Sequence, residues 1–287
     1  MKIFLLPVKS KLQPSSQAFE YPSNNPDYGV EQDFLKYVSN NFLLVNSPER
    51  ADWHYLPVFW TRWHLNHDYG KSGLKELRLE VNKAMINPKK TFTICQYDDG
   101  PLVNIKSATV FLSSRKTGSG IDIPLLRNKL KTPLIKPRKK YMASFVGRLD
   151  THPIRKKMAN ALSSSDNVLI SDGDSGQKFF VDKTLQSYIA LCPRGYGGSS
   201  FRFFEAMQLG VVPVLIGDKD TRPFKKFIDW DGISFFLEKT DQLPALLEGL
   251  DKKPLIRMGK LARTTYIHSL SYGKWGNYVI KELESVI

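Results

Sequence analysis

The stretch 191–218, LCPRGYGGSSFRFFEAMQLGVVPVLIGD, constrains the fold more than any other part of the chain. It sets a glycine-rich turn, an amphipathic helix and a buried strand in immediate succession. Gly195, Gly197 and Gly198 allow positive φ and close backbone approach, and Ser199 or Ser200 can cap the helix that follows. A helix start of this kind leaves amides unpaired at its positive dipole end, where each favourable charge contributes about 0.3–1 kcal/mol, so the unit attracts phosphate. Pro193 leads into the turn, and Arg194 and Arg202 add cations with fork geometry suited to a diphosphate. From Phe201 the helix runs to Gly210, a left-handed stop, which puts Arg202 and Glu205 on one face. Glu205 then lies one turn below the phosphates, at the depth where a carboxylate meets the two hydroxyls of a ribose. A well-capped structural turn is the competing reading of the same residues.

The rest of the chain alternates strand and helix patterns. Residues 2–6, 53–59, 91–96 and 108–112 read as strands, with helices at 30–38 and 74–86. In the second half, 141–146, 167–170, 188–191 and 211–216 read as strands between helices at 153–162, 178–187 and 201–209. Such alternation indicates parallel α/β sheets, whose ligands sit at the carboxyl ends of the strands, so the turns after Val146, Leu191 and Ile216 should share one rim. Gly147, Arg148 and Arg155 fall at that rim, as phosphate contacts or as members of surface ion pairs. The final segment, 272–287, reads as an amphipathic helix carrying Trp275 and Tyr278.

Cys192 to Asp218, continued by Pro223, Phe224 and Ile228-Asp229-Trp230, resembles the signature of the exostosin family, glycosyltransferase family 47. The resemblance extends along the chain in the family's order. It runs through Tyr28-Gly29-Val30-Glu31 with Phe34, Ser47-Pro48-Glu49-Arg50-Ala51-Asp52, Tyr55-Leu56-Pro57-Val58-Phe59, Asp98-Asp99-Gly100, Asp122-Ile123-Pro124 and Phe145-Val146-Gly147-Arg148 with His152-Pro153-Ile154-Arg155. It implies an α/β chain of GT-B type, two Rossmann-like domains with parallel sheets facing across a cleft. An acceptor-binding domain is expected at 1–135, a nucleotide-sugar-binding domain at 136–270, and a C-terminal helix at 271–287 that crosses back to the first domain or packs within the second. The implied activity is inverting, metal-independent transfer of a sugar from a UDP-sugar to a hydroxyl of an acceptor glycan, with xylose the preferred guess for the sugar and UDP-xylose the donor substrate rather than a cofactor. An acidic-glycan glucuronosyl or N-acetylglucosaminyl transferase, or a non-catalytic polyanion-binding protein, are the alternatives.

Inversion requires a base for the acceptor hydroxyl. In this fold class the base usually comes from the first domain, and Asp98 corresponds to an Asp-x-Gly position of the family, although the family's preceding His is here Tyr97. Asp99, Glu31 and Asp68 are rivals, and capping a turn is the other occupation open to such an Asp. On the acceptor side Trp60 and Trp63 are candidate sugar-stacking platforms with His64 beside them, whereas Tyr55 and Phe59 read as core.

A chain of 287 residues with 41% hydrophobic content suits two compact domains. No apolar run reaches the 18 or so residues that span a bilayer, and Cys95 and Cys192 do not make a disulfide framework. The expectation is therefore an unanchored protein, bacterial or viral, residing in the cytoplasm (the host cytoplasm if viral). The net charge of +14 is densest at Lys136-Pro137-Arg138-Lys139-Lys140, a solvated linker or a weak anionic-surface contact, and no motif for sequence-specific nucleic-acid binding accompanies it. Three Asp-x-Asp triplets, at 172–174, 218–220 and 229–231, read as turns and caps in preference to a metal site, and no metal ligands are assigned.

Overall fold

The computed structural model describes all residues except 20–28, 42, 117, 174, 175 and 287. Tyr28, the first residue of one family motif, and Asp174 lie outside the described residues. The chain divides into two compact units, 1–127 together with 272–287, and 128–271. Each holds a five-stranded parallel sheet among the described residues, the layered α/β arrangement expected of the GT-B class. No described helix is long and apolar enough to cross a membrane.

The first unit runs β1 (Ile3–Leu5), α1 (Val30–Asn40), β2 (Trp53–Tyr55), α2 (Trp60–Asn66), α3 (Leu74–Ala84), β3 (Thr91–Cys95), β4 (Thr109–Leu112) and β5 (Ile121–Asp122), with the strands side by side in chain order and β3 central. The strand expected over 53–59 ends at Tyr55. Leu56 still donates to Phe92 O, but Pro57 has no donor to continue a ladder and the chain turns into α2 at Trp60. Leu6, Leu56, Val58, Trp60, Trp63, Leu77 and Val81 form one buried cluster. A second is aromatic, with Phe34 of α1 edge-on to Tyr55 and Phe92 at 5.2 and 5.8 Å.

The second unit runs β6 (Tyr141–Val146), α4 (Pro153–Ala161), β7 (Val168–Ser171), α5 (Gly176–Leu185), β8 (Ser187–Pro193), α6 (Phe201–Leu209), β9 (Val212–Ile216), β10 (Phe235–Leu237), α7 (Leu243–Glu248) and α8 (Lys252–Thr265). Its strand order is β10-β9-β8-β6-β7. The middle strands β8 and β9 are buried almost throughout, which is why both read as continuous apolar runs. The helix α6 stops at Gly210 in the left-handed region, φ 73°, and α8 crosses there so closely that a Cβ at Gly259 would lie 2.4 Å from Gly210 O. After α8 the helix continues as one π turn, Tyr266–Leu270.

The last helix, α9 (Gly276–Glu284), belongs to the first unit and packs on α1. Its lead-in is held by Asp33, whose carboxylate accepts from the Gly273 amide at 2.9 and 3.1 Å and from the Trp275 indole at 2.8 Å. The Trp275 ring lies 5.6 Å from Phe34.

Candidate functional site

The second unit gathers three turns at the carboxyl ends of β6, β8 and β9. Arg194 N donates to Ile216 O at 2.8 Å, Arg202 Nε to Val146 O at 3.0 Å, and Arg155 bonds Arg148 O, Arg194 O and Pro193 O at 2.9, 3.0 and 3.4 Å. Gly147, at φ 155°, ends β6 in a conformation disfavoured for side chains, and a Cβ there would approach the Phe145 ring at 3.4 Å. None of Gly195, Gly197 and Gly198 takes a positive φ. The freedom these glycines have for positive φ is not used, and the turn is shaped by hydrogen bonds. Gly195 N donates to Ser199 O at 3.0 Å, Arg194 Nε to Gly197 O at 3.1 Å, and the buried Thr221 hydroxyl to Gly198 O at 3.2 Å.

Arg194 is buried and its guanidinium is engaged by Gly197 O and Asp218, so it braces the turn rather than offering a free fork. Asp218, although partly desolvated, is held below the usual carboxylate range by that arginine. Arg148 is exposed and pairs with Asp150 at 2.8 Å, the surface ion pair that was its alternative reading. Arg155 is deep; burial first and the charge of Arg202 second lower its pKa to about 10, which leaves it cationic at neutral pH.

Behind the turn, α6 opens on Ser200 in extended conformation (φ −141°, ψ 128°). The Ser200 hydroxyl is buried and bonds to no described group, and it does not close back on the helix as a cap. The Phe203 amide bonds Ser200 O at 3.1 Å, and the two amides before it, of Phe201 and Arg202, precede the first intrahelical acceptor. One turn deeper, Glu205 is wholly buried and accepts from Arg202 NH1 at 2.6 Å, while the Arg202 guanidinium lies 4.0 Å above the centre of the Phe180 ring. Glu205 is therefore covered as it stands, and a ribose would reach it only by displacing that cover. Tyr266, in the π turn, faces the same carboxylate: burial and then the charge of Glu205 push its hydroxyl well up. Sequence reading missed Tyr266 because nothing in YIHSL marks an extra residue in a helical turn, a feature often found beside functional sites.

In the first unit, Asp98 sits part-buried in the turn that follows β3, with Gly100 N bonded to Tyr97 O at 2.9 Å. Its three rivals are placed differently. Asp99 pairs with Lys116 at 2.8 Å, and Asp68 is an exposed turn residue at φ 51° that lies 3.7 Å from Lys71. Glu31 is buried below the same turn, where its carboxylate accepts from the Gln96 amide at 2.9 Å, the Thr61 hydroxyl at 3.0 Å and the Thr61 amide at 3.1 and 3.2 Å. Burial outweighs these donors and raises its pKa to about 7.

The raised Glu31 has a consequence for stability. Below pH 4.5 the carboxyl is protonated in both folded and unfolded chains; between there and about 7 the unfolded chain gives up the proton and the folded one keeps it. The folded state then loses about 3 kcal/mol as pH rises through that window. Glu31→Gln should flatten this decline in a series of urea midpoints against pH. Equal slopes in the two proteins would refute the assignment.

Trp60, Trp63 and His64 are corrected from platform to core. Trp60 is fully buried with its indole donating to Thr93 Oγ1 at 2.9 Å, and Trp63 is covered by His67, stacked 3.8 Å away. His64 is buried against Tyr97, ring centres 4.6 Å apart, and burial lowers its pKa to about 4, so it stays neutral. All three lie on a short helix whose polar neighbours hide its buried face in the sequence. Of the Asp-x-Asp triplets, Asp172 accepts from Leu149 N at 2.8 Å, Asp220 and Asp231 bind Arg222 at 2.9 and 3.1 Å, and Asp229 caps Gly232 N at 3.4 Å.

Residues 113–250 match the Exostosin GT47 domain. The chain is 27% identical over 157 residues to the Exostosin-1 homolog of Caenorhabditis elegans, covering 46% of this chain and 41% of that one. It is 28% identical over 98 residues to the probable beta-1,4-xylosyltransferase IRX10L of Arabidopsis thaliana, covering 33% and 24%. The chain thus spans less than half the length of these relatives. The solved structure of AviGT4, a glycosyltransferase involved in Avilamycin A biosynthesis, aligns with 99% of this chain and 97% of its own at 11% identity and TM-score 0.41. The GT47 match takes in the turn, helix and strand described above, and over residues 113–250 the chain is similar to the Exostosin GT47 domain.

Proposed function

We propose that the protein transfers a sugar from a UDP-sugar to a hydroxyl of an acceptor glycan, with inversion and without a metal. The observation that carries this reading is the buried Ser200 hydroxyl, left without a partner among the described groups at the dipole end of α6, whose first turn brings Arg202 within reach of the charge of Arg155. These groups, with the Gly147 and Gly198 backbone, suit the diphosphate, and Glu205 suits the ribose once Arg202 yields. In the transfer the acceptor oxygen bonds to the anomeric carbon and the bond from that carbon to the diphosphate oxygen breaks. UDP departs with the electron pair, and the hydroxyl proton passes to Asp98. Arginines and helix amides in this arrangement stabilise the charge that develops on the leaving group. Xylose is the proposed sugar, a reading supported by the similarity to IRX10L; glucuronate or N-acetylglucosamine is the alternative.

Titration with UDP and a panel of UDP-sugars, followed by calorimetry and thermal unfolding, tests this directly. A ligand at about a hundredfold excess over its Kd adds about 2.7 kcal/mol of stability, so Tm should rise by several degrees, most for one sugar and equally with EDTA present. No binding by any uridine nucleotide would overturn the proposal and leave a polyanion-binding protein as the better account.

A further inference from the structure

From Ile123 to Leu149 the chain has no acidic residue, and within that stretch Lys129, Lys131, Lys136, Arg138, Lys139 and Lys140 crowd around one loop. The loop is anchored at both ends. At one, Leu130 is buried and its amide donates to Gln208 Oε1 at 3.1 Å; at the other, the Lys139 ammonium bonds Ser187 O and lies 5.7 Å from the Tyr188 ring centre, while the Lys140 amide donates to Gln186 O at 2.7 Å. Between these anchors residues 131–136 are all exposed, and Pro133 and Pro137 stiffen the path. At its tip Leu134 is 105% and Ile135 87% exposed, the two most exposed large hydrophobic residues among those described. Neither touches a core, although a packed position for either would remove apolar area from water.

We propose that residues 131–140 form a membrane-surface contact, in which Lys131, Lys136, Arg138 and Lys140 meet anionic lipid headgroups while Leu134 and Ile135 enter the boundary with the acyl chains. The two observations require each other. Four or more cations beside a surface-exposed apolar pair are the chemistry of interfacial binding, and a polyanion such as RNA or a sulfated glycan would use the cations yet leave Leu134 and Ile135 in water. The loop enters β6 beside the start of β8, so it lies at the amino ends of these strands, opposite the end that carries the Ser200 turn. Binding a bilayer there leaves that turn uncovered.

The test is co-sedimentation of the intact protein with phosphatidylcholine vesicles, with and without phosphatidylserine. Binding is expected only with phosphatidylserine, and raising salt from about 0.1 to 1 M, which shortens the Debye length from about 10 to 3 Å, should release it. Lys136→Gln should lower the partition coefficient about fivefold. Leu134→Ser with Ile135→Ser should lower it at least about tenfold with Tm unchanged, since both side chains are already in water. A Leu134→Trp variant should show a blue shift of its indole emission on adding the anionic vesicles. Absence of binding to phosphatidylserine vesicles, or binding that survives the double serine change with no emission shift in the Leu134→Trp variant, would overturn the proposal; the second outcome, with equal retention by heparin, would make the loop a simple polyanion site.

Discussion

Replacing Asp98 with Asn should leave UDP-sugar binding within a few-fold of the parent and lower kcat by about 10²–10⁴-fold, the range that a positioned general base contributes. The substitution keeps the size of the side chain and its ability to accept hydrogen bonds in the turn after β3, so the turn should survive. What it removes is the capacity to take the acceptor proton. The controls separate chemistry from surroundings. Asp99→Asn and Asp68→Asn alter an exposed ion pair and an exposed turn, and each should change turnover by no more than a few-fold. Full activity in Asp98→Asn, or a loss shared equally with Asp99→Asn, would transfer the base to another group. A pH profile adds an independent reading: the acid limb of kcat/KM should disappear with the true base and persist with any other change.

Arg202→Ala is expected to have the largest effect on the fold. Glu205 has no exposed surface, and it pairs at 2.6 Å with Arg202, itself part-buried. Removing the arginine takes the countercharge from a fully buried carboxylate, a change that typically costs about 3–5 kcal/mol. It also opens the space above Phe180 and frees Val146 O. The denaturation midpoint should fall accordingly, and UDP affinity should fall with it. Adding Glu205→Gln to Arg202→Ala should restore much of the stability, because a buried charge deprived of its countercharge is gone, without restoring nucleotide binding. If the double variant were as unstable as the single one, the pair would not be the source of the loss. If it bound UDP like the parent, neither side chain would belong to the donor site.

The layering of the fold was legible because local and tertiary preferences agree. The residues of β9 are buried on both faces and are apolar in unbroken succession, and α6 carries its stop at Gly210 where a left-handed residue is needed. Other elements were hidden by conflict between levels. The helix Lys252–Thr265 contains Pro254 and Gly259, which oppose a helical reading, but Pro254 falls in its first turn and Gly259 is the residue that lets α8 meet Gly210. Within the candidate site the residue types could be picked out, but not their engagements. Arg194, Arg155 and Arg202 look interchangeable as cations in a sequence. The structure gives the first to the turn's own carbonyls and to Asp218, the second to the carbonyls of Arg148, Pro193 and Arg194, and the third to Glu205 in its own helix and to Val146 O, so that Asp218, Pro193, Arg194 and Val146 are partners no local window of sequence contains. Trp60 and Trp63 were misread for the same reason, since exposure of an aromatic ring is decided by what else packs there.

The path of the chain also bears on how the protein is made. The second unit is continuous, whereas the first receives its last helix only after residues 128–271 have intervened. Asp33 must wait for Gly273 and Trp275, 240 and 242 positions later. At synthesis rates of about 5–20 residues per second that interval is roughly ten to fifty seconds on the ribosome, during which the Phe34 face of α1 has no lid. The second unit has no such dependence and can fold as it emerges. The nascent first unit is thus the part of this protein most in need of a chaperone, and its completion is a late event in biosynthesis although its strands are translated first.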